Sequence, residues 1–162
     1  MEFINNNIMV RKPQHVALIQ EIVNSGTMVR IRITGKSMEP CLVCGDIVTV
    51  KKVSPDSLKP GDLLFYISPY KVLVLHRLIE KNITPEGAVW FHTKGDALGV
   101  FDAPFKESSV IGKVCLVEKR KAARTVDLER VDNRVRGYLS AYLQKWKTTN
   151  KRLTWPACQI TR

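Results

Sequence analysis

Three side chains with complementary chemistry lie in short segments of distinctive composition. Ser37 lies in the sequence Gly-Lys-Ser-Met-Glu-Pro, His76 in the otherwise apolar run Val-Leu-Val-Leu-His, and Asp102 shortly after Thr-Lys-Gly-Asp. A serine hydroxyl is a poor nucleophile at neutral pH, so it needs a neutral imidazole to accept its proton and a third group to orient that imidazole. The three residues together therefore predict a serine hydrolase.

The neighbourhoods of Ser37 and His76 favour these roles over ordinary structural ones. Gly35 and Pro40 predict a turn, which can lift a hydroxyl out of the end of a strand. A general base has to be neutral, and partial desolvation in an apolar strand favours the neutral imidazole. The alternatives are a connecting loop for Ser37 and a core histidine bonded to backbone for His76. We expect His15 and His92 to be structural.

Hydrophobic periodicity predicts a mainly β protein with a helix near each end. Apolar residues recur at helical spacing over 13–24, and Pro13 suits a first helical turn. Six later segments have strand patterns, bounded by turn residues. Such short strands indicate an all-β sandwich or barrel with helices at its ends. The predicted strands comprise 29–34, 47–50, 63–67, 72–79, 89–93 and 110–117.

The C-terminal region predicts a long amphipathic helix with basic residues on its outer side. Apolar residues from Leu128 to Trp146 fall at spacings of three, four and seven, whereas 148–162 is predicted to be irregular. We prefer a helix that docks its apolar stripe on the β domain. The alternative is that 128–146 lies at an anionic membrane surface.

The length of 162 residues allows one compact domain with a core of its own. We divide it into an N-terminal helical segment over 1–27, a β domain over 28–119 and a basic C-terminal helix and tail over 120–162. The net charge is +11, and thirteen basic residues but only four acidic ones lie beyond position 112. Such a charge favours anionic partners, namely lipid headgroups, nucleic acid or acidic peptides.

The cysteines and the N-terminal residues predict a reduced, cytoplasmic protein. Cys41 and Cys44 have C-x-x-C spacing, but Cys115 and Cys158 stand alone, so we interpret all four as reduced packing thiols. We therefore expect no metal and no cofactor.

The N-terminal residues are polar and lack the pattern of a secretory signal, and no apolar run could span a bilayer. Attachment at the periphery of a membrane is the alternative location.

Several motifs in the same order give this chain a resemblance to the superfamily of serine peptidases that contains type I signal peptidases and LexA-like repressors. The resemblance covers about 29–117. It is closest to the Ser-His-Asp branch, found in archaeal and endoplasmic-reticulum signal peptidases, because His76 stands where the bacterial branch has lysine. The motifs are Gly-x-Ser-Met-x-Pro, two Gly-Asp pairs, His-Arg, Thr-Lys-Gly-Asp with a later Asp, and Ile-Gly-Lys-Val.

This resemblance implies a coiled, partly closed β-sheet and hydrolysis of peptides bound in extended form beside a strand edge. It assigns Ser37 as nucleophile, with its backbone N–H as an oxyanion donor, and His76 as base. Asp102 matches the acid of the triad, and Asp96 matches a second, supporting acid. We prefer Asp102 as the group that orients the imidazole, although the spacing alone leaves both acids open.

Two departures from the signal peptidase pattern shape the functional expectation. Gly35 and Lys36 replace the serine and the small residue that precede the nucleophile in many signal peptidases, so the second oxyanion donor is not identified. The 36 residues before Ser37 show no apolar run of transmembrane length, so we expect none of the anchor that precedes the nucleophile in signal peptidases. We therefore expect a soluble peptidase that trims leader or precursor peptides.

Two other functions remain open. One is a signal peptidase relative that acts at a membrane surface. The other is a non-catalytic, regulatory LexA-like protein that binds nucleic acid or another partner. We do not expect nucleic acid binding, because no helix-turn-helix pattern precedes Ser37. The sequence does not predict an oligomeric state.

Overall fold

The computed structural model describes residues 13–153, which form two α-helices and eight strands. Strand patterns with period two and helical patterns near both ends account for most of these elements. In chain order they are α1 (Pro13–Asn24), β1 (Val29–Arg32), β2 (Ile47–Lys51), β3 (Leu63–Ile67), β4 (Leu73–Ile83), β5 (Val89–Lys94), β6 (Phe105–Lys106), β7 (Val110–Lys119), β8 (Arg124–Asp127) and α2 (Val131–Leu153).

All strands belong to one curled antiparallel sheet. The order along the sheet is β1-β2-β7-β3-β4-β5-β6, and β8 pairs with β7. The strand β4 lies between β3 and β5: its first part pairs with β3, its second part pairs with β5, and Arg77 pairs with both. The predicted mainly β class, with a short N-terminal and a long C-terminal helix, is confirmed.

The predicted helix over 13–24 and the six predicted strands are all present, with changes at their ends. The first strand ends at Arg32, two residues earlier than predicted, and β4 continues to Ile83. Two strands, β6 and β8, were not predicted. Their sequences, Phe-Lys and Arg-Thr-Val-Asp, are too short or too polar to show a period of two, and they are strands because they pair with β5 and β7.

The predicted boundaries of the C-terminal helix are wrong at both ends. Leu128 continues the pairing of β8, because its N–H donates a 2.8 Å hydrogen bond to the carbonyl oxygen of Cys115. The helix α2 begins at Val131 and runs to Leu153, so 148–153 is helical and not irregular. The rest of the segment predicted to be irregular, 154–162, lies outside the described residues.

The sheet buries apolar side chains on both faces. In β3, Leu63 and Phe65 belong to one cluster, whereas Leu64 and Tyr66 belong to the other. Successive side chains of a strand point to opposite faces, so a strand buried on both faces reads as a continuous apolar run. The first cluster also contains Val23 of α1, which therefore covers that face.

Contrary to our expectation, the apolar stripe of α2 does not pack on the β-sheet. Its large apolar residues between Val131 and Trp146 are 52% to 76% exposed, so the expectation that this stripe docks on the β domain is wrong. The inward side of the helix instead carries Gly137, Ala141 and Gln144, and of these three only Ala141 is buried.

None of the helices between residues 13 and 153 combines the length and the hydrophobicity needed to cross a bilayer.

Candidate active site

Ser37 lies in a tight turn between β1 and β2. The N–H of Glu39 donates to the carbonyl oxygen of Lys36 at 3.1 Å, and the N–H of Leu42 donates to that of Met38 at 2.8 Å. Met38 and Leu42 are buried in the core, whereas Ser37 is only half-buried. The turn is therefore anchored by the residue that follows Ser37, and the hydroxyl is held at the rim of the core.

His76 lies in the central part of β4, directly opposite Leu64 of β3. The histidine is 7% exposed, and Leu64 and Leu78 beside it are fully buried. Arg77, the next residue, points to the other face of the sheet because strand side chains alternate. Pairing of His76 with Leu64 of β3, and of the next residue with Lys94 of β5, holds this part of the backbone in place.

The side chains of Ser37, His76 and Asp102 form a continuous chain of hydrogen bonds. Ser37 Oγ lies 3.0 Å from His76 Nε2. On the other side of the ring, His76 Nδ1 lies 2.7 Å from Asp102 Oδ2. With the ring proton on Nδ1, the imidazole donates to Asp102 and leaves Nε2 to accept the proton of the Ser37 hydroxyl.

Asp102 is held as a carboxylate by three side chains that meet at one of its oxygens. Besides His76, Thr93 Oγ1 donates to Asp102 Oδ2 at 2.7 Å, and Tyr66 Oη donates to it at 3.1 Å. Burial alone would raise the pKa of Asp102, but the hydrogen bonds from His76, Thr93 and Tyr66 outweigh it and lower that pKa below its usual range. The charged carboxylate can therefore stabilise an imidazolium.

Tyr66 supports this carboxylate from a rigid position in β3. Its ring stacks on that of Phe105, with centroids 4.0 Å apart and planes inclined by 7°. Burial raises the pKa of the Tyr66 phenol, so the hydroxyl keeps its proton. The Thr93 hydroxyl lies 3.0 Å from Tyr66 Oη, which brings both donors to the same side of Asp102.

The sequence did not reveal that Tyr66 and Thr93 contact Asp102. The strand register would have identified them, because it shows which residues share a face of the sheet with His76. Tyr66 is paired with Val74, two residues from His76, and alternation places Tyr66 and His76 on one face. Thr93 is paired with Leu78, which shares that face. The register of the strands had to be known before these residues could be placed beside the acid.

The segment that follows β5 contacts the Ser37 turn directly. The N–H of Ala97 donates a 2.9 Å hydrogen bond to the carbonyl oxygen of Ser37. Gly95 lies so close that a Cβ atom there would be 2.7 Å from the same oxygen. The same segment then leads to Asp102, whose N–H donates to the carbonyl oxygen of Thr93 at 2.9 Å. It therefore fixes the Ser37 turn and Asp102 relative to each other.

Asp96 contacts a different set of residues from Asp102. Its two carboxylate oxygens accept hydrogen bonds from Arg77 at 2.9 and 2.6 Å, and Gln144 Nε2 of α2 donates to Asp96 Oδ1 at 2.6 Å. The Arg77 and Asp96 side chains are each 6% exposed. Arg77 also donates to the carbonyl oxygen of Gly61 at 2.9 Å. Asp96 is thus part of a buried ion pair that joins α2 to the loop after β5, while the acid that contacts His76 is Asp102.

A second buried carboxylate, Asp46, closes the base of the loop that carries Ser37. It is fully buried, and it accepts hydrogen bonds from Lys119 Nζ at 2.8 Å and from the N–H groups of Val43 and Arg120 at 3.1 and 3.0 Å. Burial would raise the pKa of Asp46, but these donors outweigh it and lower the pKa. Lys119 also donates to the carbonyl oxygen of Cys41.

The cysteine pair lies beside the Arg77–Asp96 ion pair. Cys41 Sγ accepts a hydrogen bond from Arg77 at 3.2 Å, and burial raises the pKa of its thiol, whereas Cys44 is exposed. Cys41, Cys44 and Cys115 are free thiols, and Cys158 lies outside the described residues.

Within residues 13–153, no three His, Cys, Asp or Glu side chains cluster in a way that could hold a metal ion.

The arrangement of Ser37, His76 and Asp102 can transfer a proton from a hydroxyl to an imidazole while a carboxylate balances the positive charge that results. This is the chemistry of acyl transfer through a serine nucleophile.

Comparisons with known proteins give no further guidance, since no protein-family model matches the chain and a search of curated proteins finds no match.

Proposed function

We propose that this protein is a serine endopeptidase of the signal peptidase-like type, which cleaves leader or precursor peptides. The observation that carries the proposal is the chain of hydrogen bonds from Ser37 Oγ through His76 to Asp102, with distances of 3.0 and 2.7 Å. A hydroxyl within hydrogen-bonding reach of an imidazole that a carboxylate orients is the arrangement that activates a serine nucleophile.

In the proposed reaction, the Ser37 hydroxyl gives its proton to His76 Nε2 as Oγ bonds to the scissile carbonyl carbon. Asp102 stabilises the imidazolium that forms. His76 then returns this proton to the departing amine nitrogen, which leaves an acyl ester on Ser37. A water molecule that gives a proton to His76 attacks the ester carbon, and the second peptide leaves as Ser37 Oγ regains its proton.

The backbone N–H of Ser37 is the proposed donor to the oxyanion that forms in each of these steps. A preorganised donor of this kind is worth about 3–4 kcal/mol of barrier. Gly35 has no side chain that could add a second donor from the position two residues before the nucleophile. A second donor therefore has to come from another group around the Ser37 turn.

The proposed family relation, a catalytic fold of the signal peptidase and LexA-like kind, is supported by what its motif glycines do here. Gly95 admits the carbonyl oxygen of Ser37, where any side chain would collide. A Cβ atom on Gly112 would likewise collide with the backbone carbonyl of Lys51 in the neighbouring strand. Both motif glycines therefore stand where the backbone of another segment comes too close to leave room for a side chain.

An extended peptide is the proposed substrate form. The strand β1 is at one end of the sheet order, and the chain runs from it into the Ser37 turn. A peptide that added to such an edge would gain backbone hydrogen bonds and bring successive carbonyl groups past the turn. This mode suits leader peptides, which are presented as unfolded chain.

The test is endopeptidase activity on a complex mixture of peptides, with new termini identified by mass spectrometry. Wild-type protein should cut internal peptide bonds, and Ser37→Ala and His76→Ala should not. The exposed Ser108→Ala is a matched control that should cut like the wild type. Cleavage that persists in Ser37→Ala, or a wild-type protein that cuts none of the peptides, would contradict the proposal.

A further inference from the structure

The outward side of α2 is apolar along most of its length. Val135, Leu139, Tyr142 and Trp146 follow one another at spacings of four, three and four residues, so they line one face of the helix. Each of them is more than half exposed. An exposed apolar stripe of this length marks an interaction site when it is rimmed by polar residues.

The inward side of α2 explains why this stripe points away from the sheet. A Cβ atom on Gly61 would lie 2.5 Å from the carbonyl carbon of Gly137, so the helix approaches the loop before β3 backbone to backbone. Ala141 is 1% exposed, and Gln144 donates to Asp96. Small and polar side chains thus fit the contact with the sheet, whereas the bulky apolar ones stay more than half exposed. Val135 and Leu139 border the open cleft between α2 and the sheet, and Tyr142 and Trp146 lie outside that cleft.

Basic side chains lie along both margins of the apolar stripe. At about 100° per residue, Arg136 and Lys147 fall on one side of it, and Arg134 and Lys145 fall on the other. All four are exposed, and Lys145 also pairs with Glu80 at 3.1 Å. Long basic side chains in this arrangement can place their charges at lipid phosphates while the apolar residues between them enter the bilayer interface.

We propose that α2 is an interfacial helix that docks the protein on an anionic lipid bilayer. The basic residues along the apolar stripe of α2 are complementary to anionic headgroups, and the chain as a whole carries a net charge of +11. Tyr138, Tyr142 and Trp146 combine an apolar ring with a polar group, which suits the boundary between headgroups and acyl chains. Apolar burial and electrostatic attraction act together, as stable reversible membrane binding requires.

Docking through α2 would hold the catalytic cluster at the membrane surface. Gln144 bonds to Asp96, and the loop that carries Asp96 bonds through Ala97 to the carbonyl oxygen of Ser37. The helix is therefore joined to the nucleophile turn by a short path of hydrogen bonds. The proposal does not rest on the peptidase activity, since it concerns the opposite side of α2 and would hold for an inactive protein.

The test is co-sedimentation of the whole protein with phosphatidylcholine vesicles, with and without phosphatidylglycerol. We expect binding to the anionic vesicles at low salt, weaker binding at high salt and little binding to phosphatidylcholine alone. The double variant Tyr142→Ser with Trp146→Ser should bind at least about tenfold more weakly. The same change at the exposed Ile83 and Leu18, away from α2, is the matched control and should leave binding unchanged.

The electrostatic part of the proposal has its own pair of variants. Reversing the charge of Arg136 and Lys147 to Glu should weaken binding by about fivefold or more per residue. The same reversal at Lys52 and Lys121, which are exposed elsewhere, changes the net charge equally and should weaken binding less. Equal effects of the two pairs would overturn a specific role for α2.

Three other outcomes would overturn membrane docking. The first is absence of binding to anionic vesicles at low salt, and the second is unchanged binding by the Tyr142→Ser, Trp146→Ser variant, with circular dichroism showing that it is folded. The third is a wild-type dimer in sedimentation velocity that this variant dissociates, since a second copy of the chain would then cover the face. The Ser37→Ala protein should bind vesicles like the wild type, which separates this proposal from the peptidase activity.

Discussion

Gly95 lies against the backbone of Ser37 at a distance that no other residue could maintain. A Cβ atom at position 95 would be 2.7 Å from the carbonyl oxygen of Ser37, which also accepts the hydrogen bond from Ala97. The position of the Ser37 turn therefore depends on a residue that carries no functional group, nearly sixty positions away in the chain.

The first prediction follows from this contact. Gly95→Ala should lower turnover by about 10- to 100-fold, because a displaced Ser37 hydroxyl loses its alignment with His76. Gly99→Ala is the matched control, since nothing lies within 4 Å of a Cβ atom there, and it should retain full activity. Steady-state kinetics on a peptide substrate measures both. Equal activity of the two variants would mean that the contact between Gly95 and Ser37 does not position the nucleophile.

The second prediction distinguishes the two acids after β5. Asp102→Asn should reduce turnover by roughly 1,000- to 10,000-fold, because the imidazole loses its orienting carboxylate, and it should destabilise the fold less than Asp96→Asn does. Asp96→Asn should instead reduce the free energy of unfolding by about 3–5 kcal/mol, because it leaves Arg77 buried without its counter-charge. Kinetics and urea unfolding of both variants provide the comparison. A greater loss of turnover in Asp96→Asn than in Asp102→Asn, at temperatures where both are folded, would reverse the assignment.

The third prediction concerns the phenol that supports Asp102. Tyr66→Phe keeps the stacked ring but removes one hydrogen bond to the carboxylate, so the pKa of Asp102 should rise toward its usual range. The Asp102 carboxylate then takes up a proton at higher pH than it does in the wild type. The acid limb of the profile of turnover against pH should therefore move to higher pH, and stability should fall by about 1 kcal/mol.

The control for Tyr66→Phe is Tyr70→Phe, because Tyr70 is 84% exposed. A change that was merely structural would lower turnover equally at every pH. If the profiles of Tyr66→Phe and the wild type coincide in shape, the phenol does not tune the acid.

The fourth prediction is a dependence of stability on pH from Asp46. The pKa of this buried carboxyl is lower in the folded protein than in the unfolded chain, so its contribution is fully present above about pH 4, the ordinary range of the group. It is lost as the pH falls through the lower, folded-state pKa. The free energy of unfolding should therefore decrease on acidification below about pH 4.

Asp46→Asn isolates this contribution. The variant should be less stable than the wild type by about 1–3 kcal/mol at neutral pH, because the bond from Lys119 to a charged acceptor is lost. The difference between the two proteins should shrink as the pH falls. Urea unfolding over the acid range measures it, with the exposed Asp56→Asn as control. A difference that is constant with pH would show that ionisation of Asp46 does not stabilise the fold.

The local pattern of the sequence was sufficient to predict most of the strands and the existence of both helices. Period-two alternation and turn residues are properties of neighbouring residues, so they predicted β1 to β5 and β7 before any tertiary contact was known. The short strands β6 and β8 carry no such pattern. They are strands because β5 and β7 offer backbone groups to pair with, which is a property of the folded sheet.

The sequence by itself also singled out Ser37, His76 and Asp102, because each is a reactive residue in a segment of distinctive composition. It could not decide between Asp96 and Asp102, or assign roles to Tyr66 and Thr93. Those contacts depend on which face of the sheet each residue occupies, and a shift of one residue in register reverses the face. The distances of 2.7 and 3.0 Å on either side of His76 are therefore a product of strand pairing.

The orientation of α2 was decided by the tertiary structure alone. Its amphipathic pattern is in the sequence, and we expected the apolar stripe to face the core, as it does in most soluble helices. Close packing of Gly137 on Gly61, with Gln144 reaching Asp96, instead turns the small and polar side inward. Amphipathicity defines two sides of a helix, but only the shape of the surface on which the helix packs determines which side is buried.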